Sequence, residues 1–137
     1  MVERQQIKSK KRVEERGEVF TNEREVNAML DMVKQETERI DSRFLEPACG
    51  DGNFLAEVLR RKLDVVGKRY GKSQLEYERY AFVAVSSVYG VDIMQDNVEE
   101  CRERLFREID RTYTSRFKND AKEEFRAVIR YVLSVNI

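Results

Sequence analysis

The most informative part of the chain reads Leu45-Glu46-Pro47-Ala48-Cys49-Gly50-Asp51-Gly52-Asn53-Phe54-Leu55. The apolar segment 43–47 is too short for a helix and is stopped by the only proline of the chain, so it predicts a buried strand. Apolar residues at helical spacing follow the loop. A strand that ends in a glycine loop and leads into a helix brings backbone N–H groups and the positive end of a helix to one point. Gly50 and Gly52 allow a sharp turn and the close approach of an anionic or polar ligand group.

A second predicted strand, 88–92, ends on the carboxylate of Asp92. An acidic residue in that position suits a ribose, because one carboxylate can accept hydrogen bonds from two vicinal hydroxyls. Glu46, at the carboxyl end of the first strand, adds negative charge to the same crevice. The pattern indicates a pocket for a nucleoside that carries an amino-acid tail.

The rest of the chain alternates between helical and strand-like patterns. Helices are predicted from Thr21 or Asn22 to about Ile40, after the glycine loop, and over 74–85, 97–110 and 120–133, and residues 134–137 could begin a third strand. Alternating strands and helices predict an α/β fold with a parallel sheet. The length fits one domain, 17–137, preceded by a charged arm, 1–16. We expect the arm to be solvated, with contact to phosphates as the alternative.

Composition disfavours several classes of function. Lys+Arg and Asp+Glu both number 26, so no overall field attracts nucleic acid. The two cysteines make neither a disulfide framework nor a metal cluster, and without histidine a zinc site or histidine-based acid–base catalysis is not expected. No signal peptide and no long apolar run is present, so we expect a cytoplasmic protein without membrane contact.

The loop does not match the dinucleotide-binding pattern. Asp92 follows Gly52 by 40 residues, whereas dinucleotide-binding units place the acid about 20 residues on. Leu55 occupies the position where that pattern has its third glycine. A nicotinamide-dependent oxidoreductase is therefore the weaker alternative.

Three segments together resemble a known enzyme family. Residues Glu46 to Leu55 resemble the first motif of N6-adenine DNA methyltransferases, in which an acidic residue precedes Pro-Ala-Cys-Gly. Gly17-Glu18-Val19-Phe20-Thr21 resembles the segment that comes before that motif, and Tyr89-Gly90-Val91-Asp92-Ile93 resembles the second motif. The order of the segments is that of the family. The resemblance is to the class I S-adenosylmethionine-dependent DNA methyltransferases of restriction-modification systems. It implies a partial Rossmann-like fold of two to three parallel strands with flanking helices, truncated before the fourth strand.

The resemblance also implies a role for individual residues towards S-adenosylmethionine. Phe20 and Thr21 would touch the adenine side and the methionine carboxylate of the cofactor. The methionine amino group and the sulfonium would be surrounded by Glu46, Ala48 and Gly50, with Gly52 completing the turn. Asp92 would hold the ribose hydroxyls, and Ile93 would lie against the adenine ring. The family usually has proline where this chain has Asn22, and it makes Cys49 a small packing residue rather than a nucleophile.

The chain lacks the family's catalytic motif, Asp/Asn-Pro-Pro-Tyr/Phe, since its single proline is Pro47. We therefore expect no catalytic residue here, weak cofactor binding, and contact with DNA only through further parts of a full enzyme. In the expected fold the first strand is an open edge, which predicts self-association or pairing with a complementary methyltransferase polypeptide. The alternative is a non-catalytic cofactor-binding or interaction module derived from a methyltransferase.

Overall fold

The computed structural model describes residues 6–137. Within this range the chain forms seven α-helices, two β-strands and one 3-10 turn. In chain order they are α1 Lys10–Arg16, α2 Glu23–Asp31, α3 Lys34–Glu38, β1 Phe44–Glu46, α4 Asn53–Tyr70, α5 Gln74–Ser86, β2 Val88–Gly90, α6 Gln95–Phe117, the 3-10 turn Lys118–Asp120, and α7 Glu123–Asn136.

The helices follow the predicted ones in position but differ in length. Asn22 is the N-cap of α2, and its side chain accepts a hydrogen bond from the backbone N–H of Glu25 at 2.9 Å. The single helix predicted up to Ile40 is instead two helices, α2 and α3, interrupted at 32–33. Conversely, α4 continues through Gly67 and ends at Tyr70. None of the helices in the described part of the chain combines the length and the apolar character that a bilayer crossing requires.

The two strands pair in parallel. Phe44 lies opposite Val88, Leu45 opposite Tyr89, and Glu46 opposite Gly90. The predicted strands at 43–47 and 88–92 are confirmed, each shortened to three residues. Because parallel strands end at the same edge, the loop after β1 and the loop after β2 meet.

The core is built around α4, which packs against α2, α3, α5 and α6. Its buried residues recur at helical spacing, as in Leu55, Leu59 and Leu63. A second part of the core lies between α5, α6 and α7, where the fully buried Tyr77 and Tyr113 stack with ring centroids 6.3 Å apart. These helices bury most of the apolar surface of the chain, and the strands contribute little area.

The expected α/β fold is wrong. The described chain is 69% helical with two short parallel strands, which is not a Rossmann-like α/β fold with flanking helices. The third strand expected at 134–137 belongs to α7, where Ile129 and Leu133 are buried at helical spacing. The Asn136 amide donates to the carbonyls of Ser86 and Val88, both at 3.2 Å. The end of a helix therefore satisfies backbone groups beside β2 that a further strand could have paired.

The described part of the predicted arm, residues 6–16, contains a short helix that is linked to the rest of the chain by ion pairs. Residues 1–5 lie outside the described range, but α1 is a defined helix capped by Ser9 and closed by Gly17, which has a φ of 64°. Lys8 and Arg12 both form ion pairs with Asp96 at the start of α6, at 2.8 and 2.7 Å. These two cations already have carboxylate partners, so of the predicted phosphate-contacting cluster Lys10 and Lys11 are the exposed cations.

Candidate functional site

The loop between β1 and α4 is shaped by two glycines with positive φ, 55° at Gly50 and 93° at Gly52. Gly52 is the N-cap of α4, and no side chain caps this end of the helix. The first N–H groups of a helix have no partner within the helix. A strand, a tight loop and the N-terminus of an 18-residue helix thus meet at one point, as the sequence predicts.

Asp92, which follows β2, reaches this loop. One of its carboxylate oxygens, Oδ2, accepts a hydrogen bond from the backbone N–H of Gly50 at 3.0 Å. The other oxygen, Oδ1, accepts one from the backbone N–H of Met94 at 2.8 Å. The glycine loop and the carboxylate, 42 residues apart in the chain, are therefore in direct contact.

Glu46 lies at the same edge of the sheet, at the end of β1. Its Oε1 accepts a hydrogen bond from the backbone N–H of Ala48 at 3.1 Å, so its carboxylate is turned towards the glycine loop. Glu46 is half-buried and Ala48 is exposed. Two carboxylates, Glu46 and Asp92, thus approach the loop from the ends of neighbouring strands.

The segment before α2 crosses the glycine loop. The Phe20 ring is buried, and its Cδ1 atom lies 2.9 Å from the position that a Cβ atom on Gly50 would occupy. The carbonyl of Thr21 accepts a hydrogen bond from the Asn53 amide at 2.7 Å, which ties the segment to the first residue of α4. Only glycine at position 50 permits this approach, both because of its φ and because of the ring.

A small cleft of about 60 Å³ lies between this segment and the loop. Five of the eight residues predicted to bind the cofactor line it, namely Phe20, Thr21, Glu46, Ala48 and Gly50. The other three are placed elsewhere. Gly52 is buried, and a Cβ atom there would lie 3.0 Å from the Cys101 sulfur. Asp92 is half-buried and does not line the cleft itself, but it accepts a hydrogen bond from Gly50, which does. Ile93 is 73% exposed.

Cys49 lies beneath the loop and packs on β2. A Cβ atom on Gly90 would lie 3.0 Å from the Cys49 Cβ, so the glycine makes room for the cysteine. A hydrogen bond involving the Cys101 thiol lowers the pKa of Cys49, against the opposing effect of burial. Cys49 is 5% exposed, which matches the packing role that the sequence resemblance implies.

A charged cluster that the sequence did not reveal holds the N-terminal segment in place. Arg12 forms two hydrogen bonds with Asp96, at 2.7 and 3.0 Å, and an ion pair with Glu18 at 2.8 Å. The hydrogen bonds from Arg12, and then those from Lys8, hold the pKa of Asp96 well below its usual range. We call Lys8, Arg12, Glu18 and Asp96 the N-terminal clamp.

Asn97 connects the N-terminal clamp to Asp92. It is fully buried, and its Nδ2 donates to Glu18 at 2.7 Å and to Asp92 at 3.2 Å. Sequence reasoning missed both Asn97 and the clamp, because Glu18 lies 79 residues from Asn97, and Arg12 and Lys8 lie 84 and 88 residues from Asp96. An Asp-Asn pair at the start of a predicted helix is the one local signal, and it is equally typical of an ordinary helix terminus.

No protein-family model matches the chain, and neither a curated protein nor a solved structure shows significant similarity to it. The function of the chain is therefore inferred from the geometry of the site and from the motifs in the sequence.

Proposed function

We propose that this chain is the S-adenosylmethionine-binding part of a DNA methyltransferase of the N6-adenine type from a restriction-modification system, acting in the cytoplasm. The observation that carries the proposal is the 3.0 Å hydrogen bond between the Gly50 N–H and Asp92 Oδ2. It joins the two motif segments at the edge of the sheet where both strands end. Glu46 approaches the same loop, so the site offers N–H donors and carboxylates side by side.

The residues present suit the amino group, the sulfonium and the ribose of S-adenosylmethionine. The Glu46 carboxylate would attract the positively charged amino group and sulfonium, and Asp92 would accept from a ribose hydroxyl. The cleft of about 60 Å³ is far smaller than the roughly 300–1,000 Å³ of small-molecule sites, so a cofactor cannot enter it without a change of shape. Since the Phe20 ring lies over Gly50 and narrows the cleft, we expect the segment 18–21 to shift when the cofactor enters.

The proposal assigns binding to this chain and no chemical step. The 137 residues contain one proline, Pro47, and hence no Pro-Pro motif that could hold a flipped base. Methyl transfer to DNA would need a further polypeptide segment to supply that motif. The second candidate is a non-catalytic module that binds the cofactor or another chain.

The test is calorimetric titration of the full chain with S-adenosylhomocysteine, the demethylated cofactor. We expect measurable but weak binding to the wild type and a loss of roughly 10-fold or more in Asp92→Asn, because hydrogen bonds to a charged group contribute about 1.5–3 kcal/mol. Asp64→Asn is the matched control, since Asp64 lies on the surface and pairs with Lys68 at 2.9 Å.

Two results would end the proposal. One is the absence of any heat with S-adenosylhomocysteine at millimolar concentration, and the other is NAD competing for the same site. A radiolabel transfer assay on unmethylated DNA separates the two candidates. Transfer by the chain together with a partner polypeptide favours the methyltransferase part, and binding without transfer favours the module.

Self-association stays a prediction. In the described part of the chain β1 pairs with β2 alone, and Leu45 in the middle of β1 is 65% exposed. An unpaired strand edge with an exposed apolar residue can pair with another chain. Sedimentation velocity on the wild type and on Leu45→Lys tests this, because a charge at that position should abolish any dimer.

A further inference from the structure

Asn97, the third residue of α6, has one end of its buried side-chain amide paired and the other end unpaired among the described residues. Its side chain is fully buried, and its Nδ2 atom is hydrogen-bonded to two carboxylates, Glu18 at 2.7 Å and Asp92 at 3.2 Å. Its Oδ1 atom is buried with no hydrogen-bond partner among the described residues. Buried polar atoms are usually paired, so the arrangement calls for a physical reason.

The chemistry of the neighbours fixes the orientation of the amide. Carboxylates are acceptors only, whereas an amide has a donor end and an acceptor end. A flipped Asn97 would place its oxygen against the oxygens of both Glu18 and Asp92 and leave its two donors unused. The amide nitrogen must therefore face the carboxylates, even though the unpaired oxygen is the consequence.

This orientation determines how many acceptor positions Asp92 keeps for a ligand. A carboxylate has about four lone-pair positions, two on each oxygen. Oδ1 already accepts from the Met94 N–H and from Asn97, while Oδ2 accepts from the Gly50 N–H alone. Among the described residues, one acceptor position, on Oδ2, is left without a donor.

We propose that Asn97 is a positioning residue that sets specificity by limiting Asp92 to a single ligand hydroxyl. The inference rests on the proposed function, in which the ligand is a nucleoside with two vicinal hydroxyls. The Met94 N–H is part of the backbone and stays on Oδ1, so Asn97 is the one donor on that oxygen whose identity a substitution can change. Glu18 holds the other hydrogen of the Asn97 amide, and Arg12 holds Glu18, so the N-terminal clamp keeps Asn97 in place.

The experiment measures the affinity of the full chain for S-adenosylhomocysteine and for its 2′-deoxy and 3′-deoxy derivatives. In the wild type we expect one of the two derivatives to bind roughly 10-fold more weakly or worse, and the other to stay within about 3-fold of the parent compound. In Asn97→Ala the Oδ1 position becomes available, so both derivatives should bind at least several-fold more weakly than the parent compound. Asn27→Ala, which removes a half-buried amide on α2, should keep the wild-type pattern.

Each other outcome has a defined meaning. Equal losses for both derivatives in the wild type would overturn the inference and leave the proposed function intact. An unchanged one-sided pattern in a folded Asn97→Ala protein would also overturn it, since Asn97 would then not control Oδ1. No binding of S-adenosylhomocysteine by the wild type would overturn the proposed function and this inference with it. The wild-type measurements show whether Asp92 binds one or both ligand hydroxyls even if Asn97→Ala does not fold.

Discussion

The two ends of the β1–β2 pair differ in charge and in closure. At the amino end, the fully buried ammonium of Lys62 donates to the carbonyls of Ile40 and Ser42 and to the Ser87 hydroxyl, the first and last of these at 3.1 and 2.6 Å. At the carboxyl end, the Asp92 carboxylate accepts from the backbone N–H groups of Met94 and of Gly50, and Gly50 lines the small cleft. A hydrogen-bonded ammonium group therefore lies at the amino end, and a carboxylate lies at the carboxyl end.

The difference separates a structural cluster from a candidate binding site. An ammonium group has three donors, and Lys62 uses them on three acceptors that all belong to the protein. Asp92 keeps an acceptor position that none of the described residues fills. Burial alone therefore does not mark a functional site in this chain, whereas an unused hydrogen-bonding position next to a cleft does.

The largest effect should come from removing the cation at the amino end. Lys62→Met leaves three acceptors without a donor, and we expect the free energy of unfolding to fall by ~2–4 kcal/mol, since each unsatisfied buried group costs about 1–3 kcal/mol and loss of the buried charge offsets part of this. Urea unfolding measures the change. The control is Lys68→Met, six residues further along α4, where the lysine belongs to an exposed ion pair. It should change the free energy of unfolding by less than about 0.5 kcal/mol. Similar values for the two variants would mean that the amino end is not a structural cluster.

The next effect concerns the glycine loop at the carboxyl end. Gly50→Ala should destabilise the chain by ~2 kcal/mol and abolish binding of S-adenosylhomocysteine, because a left-handed conformation costs an ordinary residue about 1–2 kcal/mol and the new Cβ would meet the Phe20 ring. Gly17→Ala measures the cost of the left-handed conformation alone, since Gly17 has a φ of 64° and open space around it. Thermal unfolding together with titration separates the two. If the two variants lose equal stability and both still bind, the contact with Phe20 is unimportant.

A pH dependence should appear at the amino end. Burial lowers the pKa of Lys62 from 10.5 to about 8. Between these values the unfolded chain binds one more proton than the folded chain, so this lysine makes stability rise with pH from about 8 to about 10.5. Relative to Lys62→Met, the wild type should gain ~1–2 kcal/mol between pH 7.5 and 9.5, as each pKa unit corresponds to 1.36 kcal/mol. A difference that stays flat across this range would show that the ammonium is retained.

The smallest effect concerns the N-terminal clamp, which lies on the surface next to the carboxyl end. Arg12→Gln should speed amide hydrogen exchange at Phe20, whose N–H donates to the Gln6 carbonyl at 2.7 Å, without changing exchange in α4. Lys11→Gln is the control, because Lys11 is exposed and pairs with Glu15 alone among the ion pairs of the described residues, at 3.9 Å.

Salt and acid provide a further check on the clamp. Salt should speed Phe20 exchange in the wild type by screening the ion pairs. Because the pKa of Asp96 is held below its usual 3.8, the contribution of the clamp should be present above pH 4 and be lost only as the pH falls further. Exchange at Phe20 that is insensitive to both Arg12→Gln and salt would contradict a role for the clamp in closing the cleft.

The local structure around the glycine loop was predicted correctly, whereas the break between α2 and α3 was not. The strand before Pro47, the glycine loop and the helix that follows depend on short-range chemistry, such as the φ angles open to glycine and the missing N–H of proline. The same holds for the N-cap of α2, which was predicted as Thr21 or Asn22 and is Asn22. The meeting of Gly50 with Asp92 was also predictable, because parallel strands end at one edge of a sheet.

By itself, then, the amino-acid sequence determined the turn, its glycines and the pairing of the two short strands. The tertiary structure decided that α7 stays helical to Asn136, that Lys62 is buried rather than solvated, and that Arg12 and Asn97 reach the site. A segment such as 132–137, in which Ser134 and Asn136 alternate with apolar residues, suits a strand or a helix, and a lysine between Arg61 and Leu63 suits either a surface or a core. Such choices depend on which distant groups complete the hydrogen bonds and cover the apolar surface, and these partners become neighbours only when the chain is folded.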